Sequence, residues 1–289
     1  LILDAVVMWN FAGNFELWYG QTKLPGNIER VISSGNLQFV DRSRLNKEFT
    51  IDREFGFQLR HHFNLTDKFV VREKLAISQG EARNITVANK GGHHYTSRLE
   101  LLPFGLFESK GDYKGGDLKR EKSPKLMLSI GQSYVEDAVR ERGNQGGYFI
   151  NLENASTIDS DPTDVSTFFA DAMFKYKGFS VMGEYANRNA DVINHFSADS
   201  TSSASVMAGS SLNLCLGYIF KNNWELATRY TTYSPHQDYV DNGEQRYTLG
   251  ISRYIVGHAL KVQGDVTYKM EDNSSNSELL YRLQIDIHF

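Results

Sequence analysis

The sequence predicts an all-β chain folded as a transmembrane antiparallel β-barrel, and three observations predict it. The first is strand patterning, clearest in the stretch SELLYRLQIDIHF from Ser277 to Phe289. There Leu279, Tyr281, Leu283, Ile285, Ile287 and Phe289 fall on one face of an extended chain. Leu280, Arg282, Gln284, Asp286 and His288 fall on the other. The second observation is that short and long connections alternate. The third is that aromatics crowd the short ones.

Composition bounds the alternatives. The 289 residues suffice for one large domain. With 15 Tyr, 18 Phe and only 5 Pro, the chain favours β structure. No stretch has the 18 or so apolar residues of a spanning helix, but spanning strands need only about 9–11 residues, half of them polar. A net charge of −4 gives no electrostatic case for nucleic acid. One cysteine, Cys215, excludes an intrachain disulfide and a cysteine metal cluster.

Taken in order, Leu1–Phe11 alternates, with Leu3, Ala5, Val7, Trp9 and Phe11 on one face. A turn at Gly13-Asn14 leads to a strand over Phe15–Lys23. Leu24–Thr50 is long and irregular, with one helical turn expected near Asn27–Ser33. Strands follow at 51–63, 69–78, 94–102, 125–134, 165–176, 179–188, 206–220, 224–233, 246–255, 259–270 and 277–289, about thirteen in all. No domain break or repeat interrupts 1–289. Tight turns at 12–14, 64–67, 177–178, 221–223 and 256–258 alternate with polar loops, as in outer-membrane barrels. The link at 104–123 is the exception: it falls on the short-turn side and is long. Trp9, Phe63, Phe69, Phe179, Phe220, Trp224 and Phe289 border the short-turn side, where an aromatic girdle would sit at headgroup level. Single-chain bacterial barrels have even strand numbers. Thirteen strands therefore lead to the expectation that N-terminal strands are lacking.

Several stretches resemble the phosphate-selective porin O and P family. They are Gly20-Gln21-Thr22-Lys23-Leu24-Pro25-Gly26-Asn27, Glu29-Arg30-Val31-Ile32-Ser33-Ser34, Leu37-Gln38-Phe39-Val40-Asp41-Arg42-Ser43 and Ile51-Asp52-Arg53-Glu54-Phe55-Gly56. Further on come Leu102-Pro103-Phe104-Gly105, Gly111-Asp112-Tyr113, Gly116-Asp117-Leu118 and Pro124-Lys125-Leu126. The resemblance spans the chain and is densest over 20–56. It implies a sixteen-stranded, homotrimeric pore of the bacterial outer membrane, with an in-folded constriction loop. It also implies assembly from the C-terminal strand by the outer-membrane insertion machinery.

On that basis 24–50 is the expected constriction, carrying Arg30, Arg42, Arg44 and Lys47 against Glu29, Asp41 and Glu48. Arginine forks bind phosphate-like groups and charged rings select ions. The competing reading makes these charges local ion pairs that hold the loop's shape. Alternation assigns Arg60, Arg72, Lys74, Arg98, Lys175, Arg188, Arg229, Lys261, Lys269 and Arg282 to the lumen. An equal set of anions faces them: Asp4, Glu16, Asp52, Glu54, Glu100, Asp171, Glu184, Glu225, Asp265 and Asp286. No cationic ladder emerges, so "pore" is better supported than "phosphate".

The expected function is passive diffusion of small hydrophilic solutes or ions, with an anion preference. One alternative is a non-conducting barrel serving as scaffold or receptor in an envelope complex, favoured if 24–50 closes the lumen. A third reading is an outer-membrane enzyme. Catalysis is set aside because no serine sits in a recognisable nucleophile motif. His61-His62 and His93-His94 cannot chelate as dipeptides, since strand neighbours point to opposite faces. Asp159, Asp161 and Asp164 form an acidic loop rather than a calcium site, and no metal, cofactor or nucleotide loop is expected. Asn64, Asn84, Asn154 and Asn273 head Asn-X-Ser/Thr matches in expected loops. The expected partners are membrane lipid and small solutes or anions.

Overall fold

The structure, a computed structural model, describes residues 2–86, 88–149, 161–196, 203–273 and 277–287. Its strands are β1 (Ala5–Ala12), β2 (Phe15–Lys23), β3 (Arg53–Asn64), β4 (Val70–Ser78), β5 (His94–Leu102), β6 (Lys125–Ala138), β7 (Thr163–Tyr176) and β8 (Phe179–Ala190). They continue with β9 (Asn194–Phe196), β10 (Ser203–Ser205), β11 (Gly209–Ile219), β12 (Trp224–Pro235), β13 (Glu244–Val256), β14 (Leu260–Glu271) and β15 (Ser277–Ile287). Thirteen of them form one antiparallel meander in chain order; β9 and β10 pair only with each other. The sheet is open: β1 and β15 are its two edges and run in the same direction.

Period-2 patterning decides the faces. Leu214, Leu216, Leu226, Leu249, Ile251 and Leu283 lie on one face, each at least two-fifths exposed. Asn213, Thr231, Thr248, Ser252 and Gln263 lie on the other and are buried. Exposed leucines and buried amides invert the arrangement of a water-soluble protein and match a wall whose outer face meets lipid. Among the described residues no helix is long and apolar enough to cross a membrane.

The short connections gather at one rim. Lys177 and Gly178 both have positive φ, 50° and 96°, the geometry of the two-residue turns that match strand twist. Trp9, Phe179, Phe220 and Trp224 are two-fifths or more exposed beside these turns. Phe63 and Phe69 flank the 64–69 turn and are partly covered. Phe289, Leu1, Asn154 and Asp159 lie outside the described residues.

Two non-strand segments pack on the inner face. The first, residues 24–52, carries α1 (Ile28–Val31) and α2 (Arg44–Phe49). The Ser43 side chain caps α2, accepting from Asn46 N at 3.2 Å. Leu24, Leu45, Phe49 and Ile51 pack with Ala76, Phe169, Ala186 and Tyr233 of the wall. The second segment is the long link after β5. It turns inward, where Phe107 joins Ile28, Ile32, Leu37, Leu102, Met127 and Met173 in a second cluster. The segments come from opposite rims and meet where Gly115 N donates to Asn36 O at 2.7 Å. The link is long on a rim of short turns because it fills interior rather than spanning neighbouring strands.

Candidate functional site

The distinctive chemistry of this chain is the contact between inner-face cations and the segments lying over them. Arg98 donates to Gly26 O (2.8 Å), to both Asp171 oxygens (2.7 and 2.8 Å), to Ser129 Oγ (2.7 Å) and to Glu100 (2.8 Å). Arg188 reaches the carbonyls of Glu48 and Phe49, both at 3.0 Å. Arg229 donates to Asp41 O at 2.8 Å and pairs with Glu29 at 3.5 Å. Lys261 donates to Leu37 O at 2.7 Å, and Gln263 adds bonds to the carbonyls of Leu37 and Gln38. Lys175 is enclosed by the carbonyls of Gly111, Lys114 and Gly116. A helix-poor loop leaves backbone acceptors without partners, and a buried acceptor must find a donor. Here the wall's cations supply the donors.

Small wall residues make room for the loop. Phe39 packs with Cys215 and Ala227, and the Arg229 guanidinium lies 4.6 Å from its ring centroid. A Cβ at Gly250 would come within 3.1 Å of the Phe39 ring. Gln38 Nε2 donates to Glu225 at 2.7 Å, and Tyr254 OH donates to the same carboxylate at 2.5 Å.

The remaining inner-face cations are engaged as well. Arg60 stacks 3.5 Å from the Trp18 ring centroid and donates to Gln58 at 2.8 Å. Arg72 bonds Asp112 at 2.5 Å, while Lys74 bonds Glu100 at 2.5 Å and Tyr113 OH at 2.9 Å. Arg282 pairs with Asp265 at 2.7 Å and with Asp41 at 2.9 Å, tying the last strand to the loop.

The four loop cations behave differently from a selectivity ring. Arg30 pairs with Asp52. Arg42 donates to the carbonyls of Glu29 (3.2 Å) and Ile32 (2.8 Å). Arg44 pairs with Glu48 (2.8 Å), Asp241 (3.0 Å) and Glu244 (3.1 Å). Only Lys47 of the four is mostly exposed, 3.7 Å from Glu48. The local ion-pair reading describes Arg30 and Arg44, whereas Arg42 is held by backbone carbonyls.

A second constellation escaped motif reading. Ser133 Oγ lies 2.7 Å from His94 Nε2, and His94 Nδ1 lies 3.3 Å from Glu54 Oε1. Glu54 also accepts from Ser78 Oγ (2.6 Å), Gly80 N (2.9 Å) and Asn144 Nδ2 (2.6 Å). The three residues stand on β6, β5 and β3 and are buried. They are separated by about forty residues at each step, so no linear motif marks them. A histidine between a hydroxyl and a carboxylate is the one sequence-independent signal. Among the described residues no group of three metal-ligating side chains is positioned to hold an ion.

No family model matches the chain, and no curated protein matches it. Among solved structures it is similar to OmpTΔL8, a loop L8 deletion mutant of OmpT, described as an outer membrane protein of Vibrio cholerae. Identity is 10%, the TM-score is 0.52, and the match covers 93% of this chain and 74% of that one. The likeness carries the fold. Together with the apolar outer face it places the chain as a barrel wall in the outer membrane, in contact with lipid. The porin-like motifs are supported to that coarser level.

Two expectations are corrected by these findings. Passive diffusion fails on the interior, where 24–52 and the link occupy the inner face and the cations meant for solute bind backbone carbonyls instead. The neighbour's description as an outer membrane protein lends a diffusion channel no support. The exclusion of catalysis also falls. It rested on the lack of a nucleophile motif, whereas Ser133, His94 and Glu54 come together without one.

Proposed function

We propose that this protein is a non-conducting outer-membrane barrel serving as a scaffold or receptor in an envelope complex, with its interior occupied by its own chain. The observation that carries the reading is that wall cations hold loop carbonyls from Gly26 to Phe49. A loop kept at a distance from the wall as a solute gate would leave those cations hydrated. Insertion by the outer-membrane machinery and assembly as a homotrimer belong to the same proposal. The full-length protein in a planar bilayer should give current indistinguishable from background. Discrete conductance steps from the unmodified protein would overturn the reading.

A second reading, an outer-membrane hydrolase, rests on Ser133, His94 and Glu54. His94 is placed to accept the Ser133 proton and Glu54 to steady the imidazolium. All three lie beneath segments contributing Gly80 and Asn144, so a substrate would reach Ser133 only after those segments move. A fluorophosphonate probe should label the full-length protein and should fail on Ser133→Ala. Absence of labelling, or equal labelling of the variant, would reject catalysis.

A further inference from the structure

The outer face of a membrane barrel should be apolar between its rims, because an ionisable group facing hydrocarbon is costly. His61 and Glu73 break that rule. They lie directly opposite one another on β3 and β4, on the face shared with Leu59, Phe63 and Leu75. His61 Nδ1 meets Glu73 Oε2 at 2.9 Å. The imidazole is held in place by stacking, 3.9 Å from the Phe15 ring and 5.5 Å from Phe63. Its Nε2 has no hydrogen-bond partner among the described residues. The Glu73 side chain is about half exposed, at 49%. The pair sits near the short-turn rim, since β3 ends at Asn64.

A groove of about 490 Å³ begins at this pair and continues over Leu59, Leu75, Leu99, Ile130 and Phe168. Those residues span β3 to β7, four strand spacings or about 19 Å at the ordinary separation. Leu59, Leu75, Ser97, Gln132 and Phe168 are successive cross-strand partners, so the groove runs straight across the strands and, with barrel strands tilted by roughly 35–45°, aslant to the membrane normal. One end is charged and the rest is mainly apolar, with Ser97 and Gln132 also in its lining.

We infer that the groove binds a glycerophospholipid with a zwitterionic, ammonium-bearing headgroup, phosphatidylethanolamine. One acyl chain lies in the groove, the ammonium meets Glu73, and the phosphate meets the free edge of His61. Charge complementarity selects this occupant. An acid–base pair offers one partner to each end of a zwitterion, whereas phosphatidylglycerol has no cation for Glu73 and brings a net negative charge towards it. Binding requires no opening of the interior, so the inference stands apart from the scaffold and hydrolase readings.

Native mass spectrometry of the full-length protein, released from detergent with equal amounts of phosphatidylethanolamine and phosphatidylglycerol of the same acyl chains, tests it. Phosphatidylethanolamine adducts should predominate several-fold. The double variant H61Q/E73Q should reduce that preference to parity, and Ser97→Trp, which fills the groove, should lower retention of both lipids. Both sites face outward, and heat-modifiable gel mobility verifies that each variant is folded. Equal retention by the unmodified protein, or an unchanged preference in folded H61Q/E73Q, would overturn the inference.

Discussion

Excising residues 28–49 and joining Asn27 to Thr50 should give a conducting barrel. The excised stretch contains Leu37, Phe39, Asp41, Glu48 and Phe49, which supply the acceptors for Lys261, Arg229 and Arg188 and the apolar side chains that cover the wall. Removal takes the loop carbonyls from those cations and opens them to water, while Arg188 keeps Thr167 at 2.9 Å and Lys261 keeps Asp286 at 3.7 Å. A buried cation deprived of its partner is costly, but one that becomes hydrated is not. The wall therefore has a route to stability in the variant, and the ladder hydrogen bonds of thirteen strands are untouched. Bilayer recording should show discrete steps absent from the unmodified protein. A variant that inserts and is folded but stays silent would show that 24–52 is not the seal.

The experiment bears on what could be read from the residues. Strand alternation divides lipid-facing from inner residues locally, so Leu283 and Arg282 can be assigned to opposite faces from their neighbours alone. Turn chemistry is equally local: Lys177-Gly178 supplies two positive φ values and could be read as a hairpin. Contacts across the lumen are a different matter. Lys261 and Leu37 O are separated by 224 positions, and a carbonyl oxygen has no signature because every residue carries one. The inner-face charges balance as a list. It takes the fold to show that five of the cations bind loop backbone, three of them (Arg98, Arg229 and Lys261) while also paired with a carboxylate. The same limit hid Ser133 and His94, whose pairing depends on neighbouring strands and not on spacing. The length of the link over 104–123 measures the interior filled by Phe107 and Tyr113, not the distance between strand ends.

The largest loss of stability should come from Arg98→Met. All five N–H donors of the Arg98 guanidinium have acceptors: Nε binds Glu100, Nη1 binds Gly26 O and Asp171, and Nη2 binds Ser129 and Asp171. The residue is 2% exposed. Methionine fills much of the same volume, so the cavity term is small and the electrostatic one decides. It leaves the Asp171 carboxylate buried with Ser129 as its remaining side-chain donor, while Glu100 keeps Lys74 and Tyr113. Breaking one side of a buried pair costs about 3–5 kcal/mol. Arg98→Lys should fall between, since an ammonium has three donors and cannot form the paired fork to Asp171. The double variant R98M/D171N should recover much of the loss, because the stranded charge is gone, and the difference between single and double variants measures the coupling. Urea unfolding in detergent micelles, followed by tryptophan emission, reads all three. A loss for Arg98→Met within about 0.5 kcal/mol, the size of an ordinary surface substitution, would mean that the Arg98 cluster does not anchor loop 24–52 to the wall.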